Sequence, residues 1–243
     1  MTNKTQLKIG LIIADNMEFK PFAEYCAKIE KMREGVNRKN EFITICLRKG
    51  ERTIELTGVK CGVGKVNAAM SASFQIANGA NLILNSGLSG GIANVRRGDI
   101  VAGTQYMEAD FDLTAMGMEL ARKPDQEYLY DADPLLLETV KKVCPDIVCG
   151  RLGTGDFFLN NEEKKNLYKN KFDLTAFDME TGAIASVCYK CDVPFLAIRK
   201  VSDDAAENSP EDYREMNNKA DASLIEVVSS LLDEIFAQDA FWK

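Results

Sequence analysis

The chain has 243 residues and a formal net charge of −7, with 46% hydrophobic and 28% charged residues. This length allows one large domain with a substantial core, and the composition is that of a soluble globular protein. An acidic surface repels nucleic-acid phosphates and anionic lipid. We therefore expect no nucleic acid and no membrane among its partners.

Taken in chain order, apolar runs that predict strands alternate with amphipathic segments that predict helices. The predicted strands are residues 8–14, 42–48, 53–57, 82–85, 99–104, 147–154 and 193–201. The predicted helices are residues 17–29, 64–77, 134–143, 162–169, 179–189 and 210–236. Residues 105–131 show no clean period and are expected to form a long excursion.

This alternation predicts an α/β fold with a twisted, mostly parallel central sheet flanked by helices. No linker, repeat or low-complexity stretch divides the chain, so a single domain over residues 1–243 is expected. In such sheets the ligand crevice lies beyond the carboxyl ends of the strands. Polar or glycine-rich clusters follow four predicted strands, around residue 18 and at residues 86–91, 155–156 and 202–203.

Cysteine and histidine usage limits the chemistry. The seven cysteines, an odd number, argue against a disulfide framework. They favour a reducing compartment, and residues 9–14 are too short for a signal core, so we expect a cytoplasmic protein. The single CxxC pair, Cys188 and Cys191, supplies too few ligands for zinc, and we expect no metal and no cofactor. Because the chain has no histidine, acid–base chemistry falls to other side chains such as Asp and Glu.

Three features have ordinary structural interpretations, and the third also has a functional one. Residues 62–65 (GVGK) lack the spacing of a phosphate-binding loop and predict a strand-to-helix turn. Glu18 lies near a helix start, where a carboxylate suits the helix dipole. Asp178 opens a predicted helix, either as its N-cap or as a carboxylate that binds vicinal sugar hydroxyls.

Arg199 and Asp203 flank the end of an apolar strand. A buried arginine requires a partner, and the pair Asp203 and Asp204 would raise the pKa of one carboxyl group. The alternative is a surface turn, in which these charges are simply solvated.

Six segments together resemble the nucleoside phosphorylase/nucleosidase superfamily, and most closely its 5′-methylthioadenosine/S-adenosylhomocysteine nucleosidases. They are KIGLIIADNME, GVGKVNAA, NSGLSGG with RRGDIV, GTGDFFL, FDMETGAIA and FLAIRKVSD, which follow one another in the family's order between residues 8 and 204. The resemblance implies a small-molecule nucleoside as substrate and hydrolysis of its N-glycosidic bond with release of adenine.

The same resemblance implies roles around the scissile bond. Asp203 would protonate N7 of the purine, and Ser202 would help to place it. Glu18 would orient and deprotonate the attacking water, with Arg199 nearby. Cleavage passes through a cation-like sugar. Two carboxylates therefore suffice, one for the leaving group and one for water, each worth roughly 10²–10⁴-fold.

The resemblance also implies binding roles. Glu180 would accept hydrogen bonds from the ribose 2′- and 3′-hydroxyls, and Met179 would pack on the sugar. Phe158 would stack on the base, and the backbone at Leu159 would hydrogen-bond its edge. Similar enzymes are homodimers whose partner covers the 5′ substituent, a cover to which Met116 would contribute.

Water and phosphate are the two acceptors that the superfamily uses. Similar phosphorylases carry an arginine where this chain has Asn85, and Glu18 would repel phosphate, so we favour hydrolysis. Two departures from the nucleosidase pattern bear on this choice. Leu88 replaces a usual serine, which leaves Ser89 as the neighbouring hydroxyl for the water network, and residues 105–124 are atypical where they should shape the 5′ pocket.

Three alternatives stay open at this point. A purine nucleoside phosphorylase would use phosphate, and a nucleoside-binding protein without catalysis would fit the loss of serine at Leu88. A flavodoxin-like signalling domain would explain the α/β pattern alone. It would not explain Glu18, Glu180, Arg199 and Asp203 at matching positions.

Overall fold

A computed structural model describes residues 5–29, 32–37, 40–206 and 209–243. The strands are β1 Gln6–Ile13, β2 Met32–Asn37, β3 Asn40–Lys49, β4 Arg52–Lys60, β5 Leu82–Gly91, β6 Ile100–Glu108, β7 Leu129–Asp131, β8 Val148–Thr154, β9 Leu174–Asp178 and β10 Phe195–Asp203. The helices are α1 Asn16–Cys26, α2 Lys65–Ala77, α3 Pro134–Val143, α4 Glu162–Phe172, α5 Thr181–Lys190, α6 Ser209–Asn218 and α7 Ser223–Ala237. None of the helices in these ranges has the length and apolar character needed to cross a membrane.

One sheet joins all of these strands, which confirms the α/β class and its single-domain architecture. Its order is β10-β6-β8-β9-β5-β1-β4-β3-β2, and β10 also pairs with β5. Strands β5, β10, β6, β8 and β9 therefore close into a ring, from which β1, β4, β3 and β2 extend.

The pairing in this sheet is mixed. Strand β1 is parallel to β4 and β5, β5 is parallel to β10, and β8 is parallel to β6 and β9. The pairs β2–β3, β3–β4 and β6–β7 are antiparallel, as are the pairs β5–β9 and β6–β10 that help to close the ring. The sheet is thus less parallel than the alternating pattern indicated. The short turn between β3 and β4 accounts for one antiparallel pair, and the others involve β2, β7 and the two contacts that close the ring.

The core explains why the first strand is so apolar. Leu11, Ile12 and Ile13 of β1 are at most 1% exposed, since β1 lies between β4 and β5 and has both faces covered. Helices α1 and α7 contact one another and the sheet, and α2 and α5 form a second contacting pair. This packing fixes the ends of β1, β5, β9 and β10, where the polar clusters lie.

Several strand predictions were too short, those of β5 and β6 among them, and three strands were not predicted. Strand β5 continues past Asn85 to Gly91 because residues 86–90 pair with β10 and residues 90–91 with β9. Strand β6 likewise runs on to Glu108. Strands β2, β7 and β9 had no predicted counterpart, although Leu174 and Ala176 of β9 are completely buried.

The predicted helix over residues 210–236 is two helices, so that prediction was wrong in its continuity. Helix α6 ends at Asn218, and Ala220 adopts a left-handed backbone with φ of 45°. The Asp221 carboxylate then accepts the N–H of Ser223 at 2.8 Å, at the start of α7. Asn and Asp compete with helical hydrogen bonds through their own side chains, which accounts for the break.

Candidate active site

A cavity of about 250 Å³ opens at the carboxyl ends of the strands, as the α/β pattern predicted. It brings together the predicted site residues Glu18, Ser89, Phe158, Leu159, Met179, Glu180, Arg199, Ser202 and Asp203. The predicted residue that does not line it is Met116, which lies in a 3-10 turn and is 75% exposed. Glu18 and Asp203 thus border one shared space.

Glu18 is held at the start of α1. Asp15 caps this helix by accepting the N–H of Met17 at 2.7 Å and of Glu18 at 2.9 Å. The Glu18 Oε1 accepts the N–H of Leu88 at 2.7 Å. Its Oε2 is buried, although the residue as a whole is only half-buried, and has no hydrogen-bond partner within the described ranges.

Burial raises the pKa of the Glu18 carboxyl group to about 7. The Arg199 cation opposes this rise, and the negative charges of Asp15 and Glu180 add to it. A carboxyl group whose pKa lies near neutrality exchanges a proton readily under physiological conditions. Glu18 therefore has the property that a general base needs.

Arg199 is the cation at the centre of the site and is only 1% exposed. Its Nε donates to the Ser89 hydroxyl at 3.0 Å, and its Nη1 donates to Asn85 Oδ1 at 3.0 Å. Its Nη2 donates to the Leu88 carbonyl and to Glu180 Oε2, the latter at 3.3 Å. The buried partners required for this charge are present, which excludes the surface-turn alternative.

The glycine-rich end of β5 allows this close packing. A Cβ atom at Gly87 would lie 2.8 Å from Arg199 Nη1 and 3.0 Å from Glu18 Oε1. Leu88, the residue that departs from the nucleosidase pattern, contributes its backbone N–H to Glu18 and its carbonyl to Arg199. Its side-chain identity leaves both contacts intact. Ser89 is already engaged, since its hydroxyl accepts from Arg199.

Two acidic residues, Asp178 at the end of β9 and Glu180 just before α5, have separate tasks. Asp178 Oδ1 accepts the N–H groups of Glu180 at 2.9 Å and Thr181 at 2.8 Å, so its carboxylate holds the start of α5, although the N-cap position itself is Glu180 and not Asp178. Glu180 Oε1 accepts the N–H of Gly64 at 3.0 Å, and burial raises the pKa of Glu180 against the opposing effect of Arg199. Gly64 has φ of 98°, which favours glycine, and lies in the predicted strand-to-helix turn of residues 62–65.

Asp203 ends β10 and is 2% exposed. Its Oδ2 accepts the Ser202 hydroxyl at 2.6 Å, and its Oδ1 accepts the N–H of Ala205 at 2.9 Å. Burial raises the pKa of Asp203, and the exposed Asp204 contributes to the rise less than burial does. The expected like-charge effect is present, but burial is the main cause.

One wall of the cavity was not predicted. Tyr213 of α6 lines the cavity, and its ring meets that of Phe158 edge-on at 5.6 Å between centroids. Its hydroxyl donates to Asp15 Oδ2 at 3.1 Å, and Asn217 Nδ2 donates to the same oxygen at 2.9 Å. No sequence signal pointed to Tyr213, because it lies in a polar helix without clear apolar periodicity.

The described ranges contain no cluster of three or more acidic, cysteine or histidine side chains suited to a metal ion. All seven cysteines are free, and Cys188 is buried whereas Cys191 is exposed. The polar groups that line the cavity are therefore carboxylates, hydroxyls, backbone groups and one guanidinium.

Comparison with known proteins agrees with this geometry. Residues 8–235 match the sequence model of the phosphorylase superfamily. The 5′-methylthioadenosine/S-adenosylhomocysteine nucleosidase of Anoxybacillus flavithermus is 34% identical over 185 residues, which are 73% of this chain and 80% of the relative. The enzyme of the same name from a Geobacillus species is 32% identical over 86% of this chain and 91% of its own length.

Solved structures lead to the same group. The nucleosidase of that name from Helicobacter pylori, solved with butyl-thio-DADMe-Immucillin-A, superposes with a TM-score of 0.88 and 25% identity, covering 95% of this chain and 100% of that one. An S-adenosylhomocysteine nucleosidase from Streptococcus pyogenes, in complex with 5-methylthiotubericidin, gives a TM-score of 0.85 and 27% identity, covering 95% and 98%.

The chain therefore belongs to the phosphorylase superfamily, and within it to the family of 5′-methylthioadenosine/S-adenosylhomocysteine nucleosidases.

Proposed function

We propose that this protein hydrolyses the N-glycosidic bond of 5′-methylthioadenosine, S-adenosylhomocysteine or a related adenine nucleoside and releases adenine. The observation that carries the proposal is the pair Glu18 and Asp203. Both border one cavity, and burial raises the pKa of each. A chain without histidine thereby has two carboxyl groups whose raised pKa values favour proton exchange with a substrate.

Asp203 is the proposed general acid. A raised pKa lets its carboxyl group keep a proton, which it donates to purine N7 as the bond between C1′ and N9 breaks. The bonding electrons pass to the purine, which leaves as neutral adenine instead of an anion. The Ser202 hydroxyl, which donates to Asp203 Oδ2, holds the carboxyl group in place.

Glu18 is the proposed general base. The ionised carboxylate takes a proton from a water molecule as the water oxygen attacks C1′ and forms the new C–O bond. Arg199 keeps part of the Glu18 population ionised, because its positive charge opposes the effect of burial on the pKa. In this scheme Arg199 acts on the water through Glu18.

The remaining pocket residues are proposed to bind substrate. Glu180 accepts the ribose 2′- and 3′-hydroxyl hydrogens, with Gly64 N–H and Arg199 fixing its carboxylate. Met179 packs on the sugar, Phe158 stacks on the base, and the Leu159 backbone hydrogen-bonds the base edge.

The charges in the cavity favour water over phosphate. Among the described residues that line it, Arg199 is the sole cation, and it already donates to Ser89, Asn85, Leu88 and Glu180. The acidic lining residues are Asp15, Glu18, Asp178, Glu180 and Asp203. A phosphate dianion would meet several negative charges and no uncommitted cation, whereas a neutral water avoids that repulsion.

A cytoplasmic homodimer is the proposed assembly. Val66 and Met70 lie one turn apart on α2 and are 79% and 45% exposed, and Met116 is 75% exposed. Val63, just before α2, is 49% exposed and also lines the cavity. Burial of these apolar side chains against a second copy would stabilise the dimer and close the 5′ end of the pocket.

The test is adenine release from 5′-methylthioadenosine with and without inorganic phosphate. We expect release without phosphate, a free 5-methylthioribose product, and loss of most turnover in Glu18→Gln. An absolute phosphate requirement with a sugar 1-phosphate product would establish the phosphorylase alternative. Tight binding of an adenosine analogue with no release of base from any adenine nucleoside would establish a binding protein.

A further inference from the structure

The residues that hold the start of α1, and with it Glu18, are not among the site residues predicted from the sequence. Asp15 uses both carboxylate oxygens in different directions. Oδ1 accepts the N–H groups of Met17 and Glu18 at the start of α1, whereas Oδ2 accepts from Tyr213 and Asn217 of α6. A single side chain thus joins the helix that carries the proposed base to a helix about 200 residues further along the chain.

The two donors on α6 form a matched pair. Tyr213 and Asn217 are four residues apart and therefore share one face of the helix. They also contact one another, with Asn217 Nδ2 3.3 Å from the Tyr213 hydroxyl. Elsewhere on α6, Asp212 and Glu215 bind Arg97 at 2.9 and 2.8 Å. Helix α6 is therefore anchored to the chain between β5 and β6 as well as to α1.

We propose that Asp15, Tyr213 and Asn217 are positioning residues for Glu18, which fix the start of α1 against α6 so that the Glu18 carboxylate is held at the wall of the nucleoside pocket. This inference rests on the proposed function of Glu18 as general base. Tyr213 also contributes its ring to that wall beside Phe158. Binding of a nucleoside in the pocket and the orientation of Glu18, the proposed general base, are thereby coupled through the Tyr213 side chain.

A small cavity of about 30 Å³ lies beside this network, and Glu18, Asn217, Leu88 and Ser86 are among the residues that border it. Glu18 Oε2 and Asn217 Oδ1 are buried acceptors for which the described residues supply no donor. The Nδ2 contact with Asp15 fixes which end of the Asn217 amide is the oxygen.

The charges around Glu18 determine how each substitution in this network should change the pKa of Glu18. The groups that face it are the cation of Arg199 from β10, the anions of Asp15 and Glu180, and the N–H of Leu88 from β5. The Tyr213 hydroxyl, whose pKa is raised mainly by burial, stays a neutral donor. Removing the charge of Asp15 should therefore lower the pKa of Glu18, whereas removing the Tyr213 hydroxyl leaves the fixed charges unchanged.

The experiment measures adenine release by Tyr213→Phe, Asn217→Leu and Asp15→Asn over a range of pH. Asn218→Ala, an exposed change on the same helix, is the matched control. We expect Tyr213→Phe and Asn217→Leu to lower kcat by about tenfold with KM nearly unchanged, the effect of one hydrogen bond to a charged group. Asp15→Asn keeps an N-cap side chain and should also move the acid limb of kcat/KM to lower pH.

The outcomes separate the two proposals. Tyr213→Phe keeps the ring against Phe158, and unchanged binding of an adenosine analogue shows that the pocket is intact. If the wild type is active and Glu18→Gln is not, but Tyr213→Phe and Asn217→Leu match Asn218→Ala, the positioning role is wrong and the proposed function stands. The positioning role is equally wrong if the variants raise KM alone. If the wild type releases no adenine, or Glu18→Gln retains normal turnover, the proposed function fails first.

Discussion

Arg97 and Arg199 each bind acidic side chains, yet the neighbouring carboxyl groups respond in opposite ways. Around Arg97, at the surface, hydrogen bonds from Lys219 and Arg97 lower the pKa of Glu215 to about 2. Around Arg199, in the pocket, burial raises the pKa of Glu18 to about 7 and also raises that of Glu180. The residue types are the same at both sites, and solvent makes the difference.

The comparison shows how this fold makes acid–base groups without histidine. In water an ion pair costs little to form, so the carboxylate stays ionised. In the pocket one guanidinium faces Glu18, Asp178 and Glu180, and it cannot neutralise all three. The excess negative charge and the loss of hydration favour the protonated form and so bring the pKa of Glu18 to about 7, where the carboxyl group can both accept and release a proton.

We expect the largest effect on turnover at Asp203. Asp203 and Asp204 are adjacent, and the buried one, Asp203, is the proposed general acid. Asp203→Asn should lower kcat by roughly 10²–10⁴-fold, the range for one general acid. Binding of an adenosine analogue should change little, since the amide can keep a contact with Ser202. Steady-state kinetics and a binding titration measure the two effects.

Asp204→Asn is the matched control, since Asp204 is exposed and is the weakest contributor to the pKa of Asp203. Its kcat should stay near that of the wild type. Equal losses in both variants would remove the distinction between the buried and the exposed carboxylate.

We expect an effect of intermediate size on folding stability when Glu18 is replaced by glutamine. The pKa of Glu18 in the folded state is about 7, above the ordinary value of 4.5. Below pH 4.5 the Glu18 carboxyl group is protonated in both the folded and the unfolded state, so the raised pKa costs no stability. As pH rises from 4.5 to 7, the folded state loses stability. Glu18→Gln should therefore be more stable than the wild type at pH 8, by up to about 3 kcal/mol, and nearly equal to it at pH 4.5.

Denaturant unfolding at the two pH values measures this difference. Glu34→Gln, at an exposed glutamate of β2, serves as a control for loss of one carboxylate. A stability gain that does not depend on pH would show that the pKa of Glu18 is not raised in the folded state.

The sequence predicted the site better than it predicted the paths of the strands that form it. Arg199 and Asp203 were singled out because charges at the end of an apolar strand require partners, whereas Glu18 and Glu180 were singled out by the family resemblance. The structure places all four around one cavity. Their roles remain proposals. The motif order located these residues without knowledge of which strands pair.

The features that the sequence did not predict are those that depend on contacts between residues far apart in the chain. Strand β5 runs through the glycine-rich segment because β10 and β9 offer partners there, and nothing within residues 86–91 specifies that pairing. Tyr213 and Asn217 matter because they meet Asp15 about 200 residues earlier in the chain, which no local pattern encodes. Met116 is exposed in the single chain, and its predicted role needs a second copy.

We expect the smallest effect at Glu215, which binds Arg97 at the surface. Glu215→Gln removes a carboxylate whose pKa is held at about 2, so the wild-type contact adds stability above pH 4.5 and loses it as pH falls through 2. Because this ion pair is exposed, the unfolding midpoint at pH 7 should fall by no more than about 2 °C, and less in high salt. Turnover should not change, since Glu215 does not line the nucleoside cavity. A thermal melt at two salt concentrations, with kcat measured in parallel, tests this. A large loss of kcat in Glu215→Gln would mean that the anchor at Arg97 controls the pocket through α6, and the contrast between the two arginines would then be one of degree.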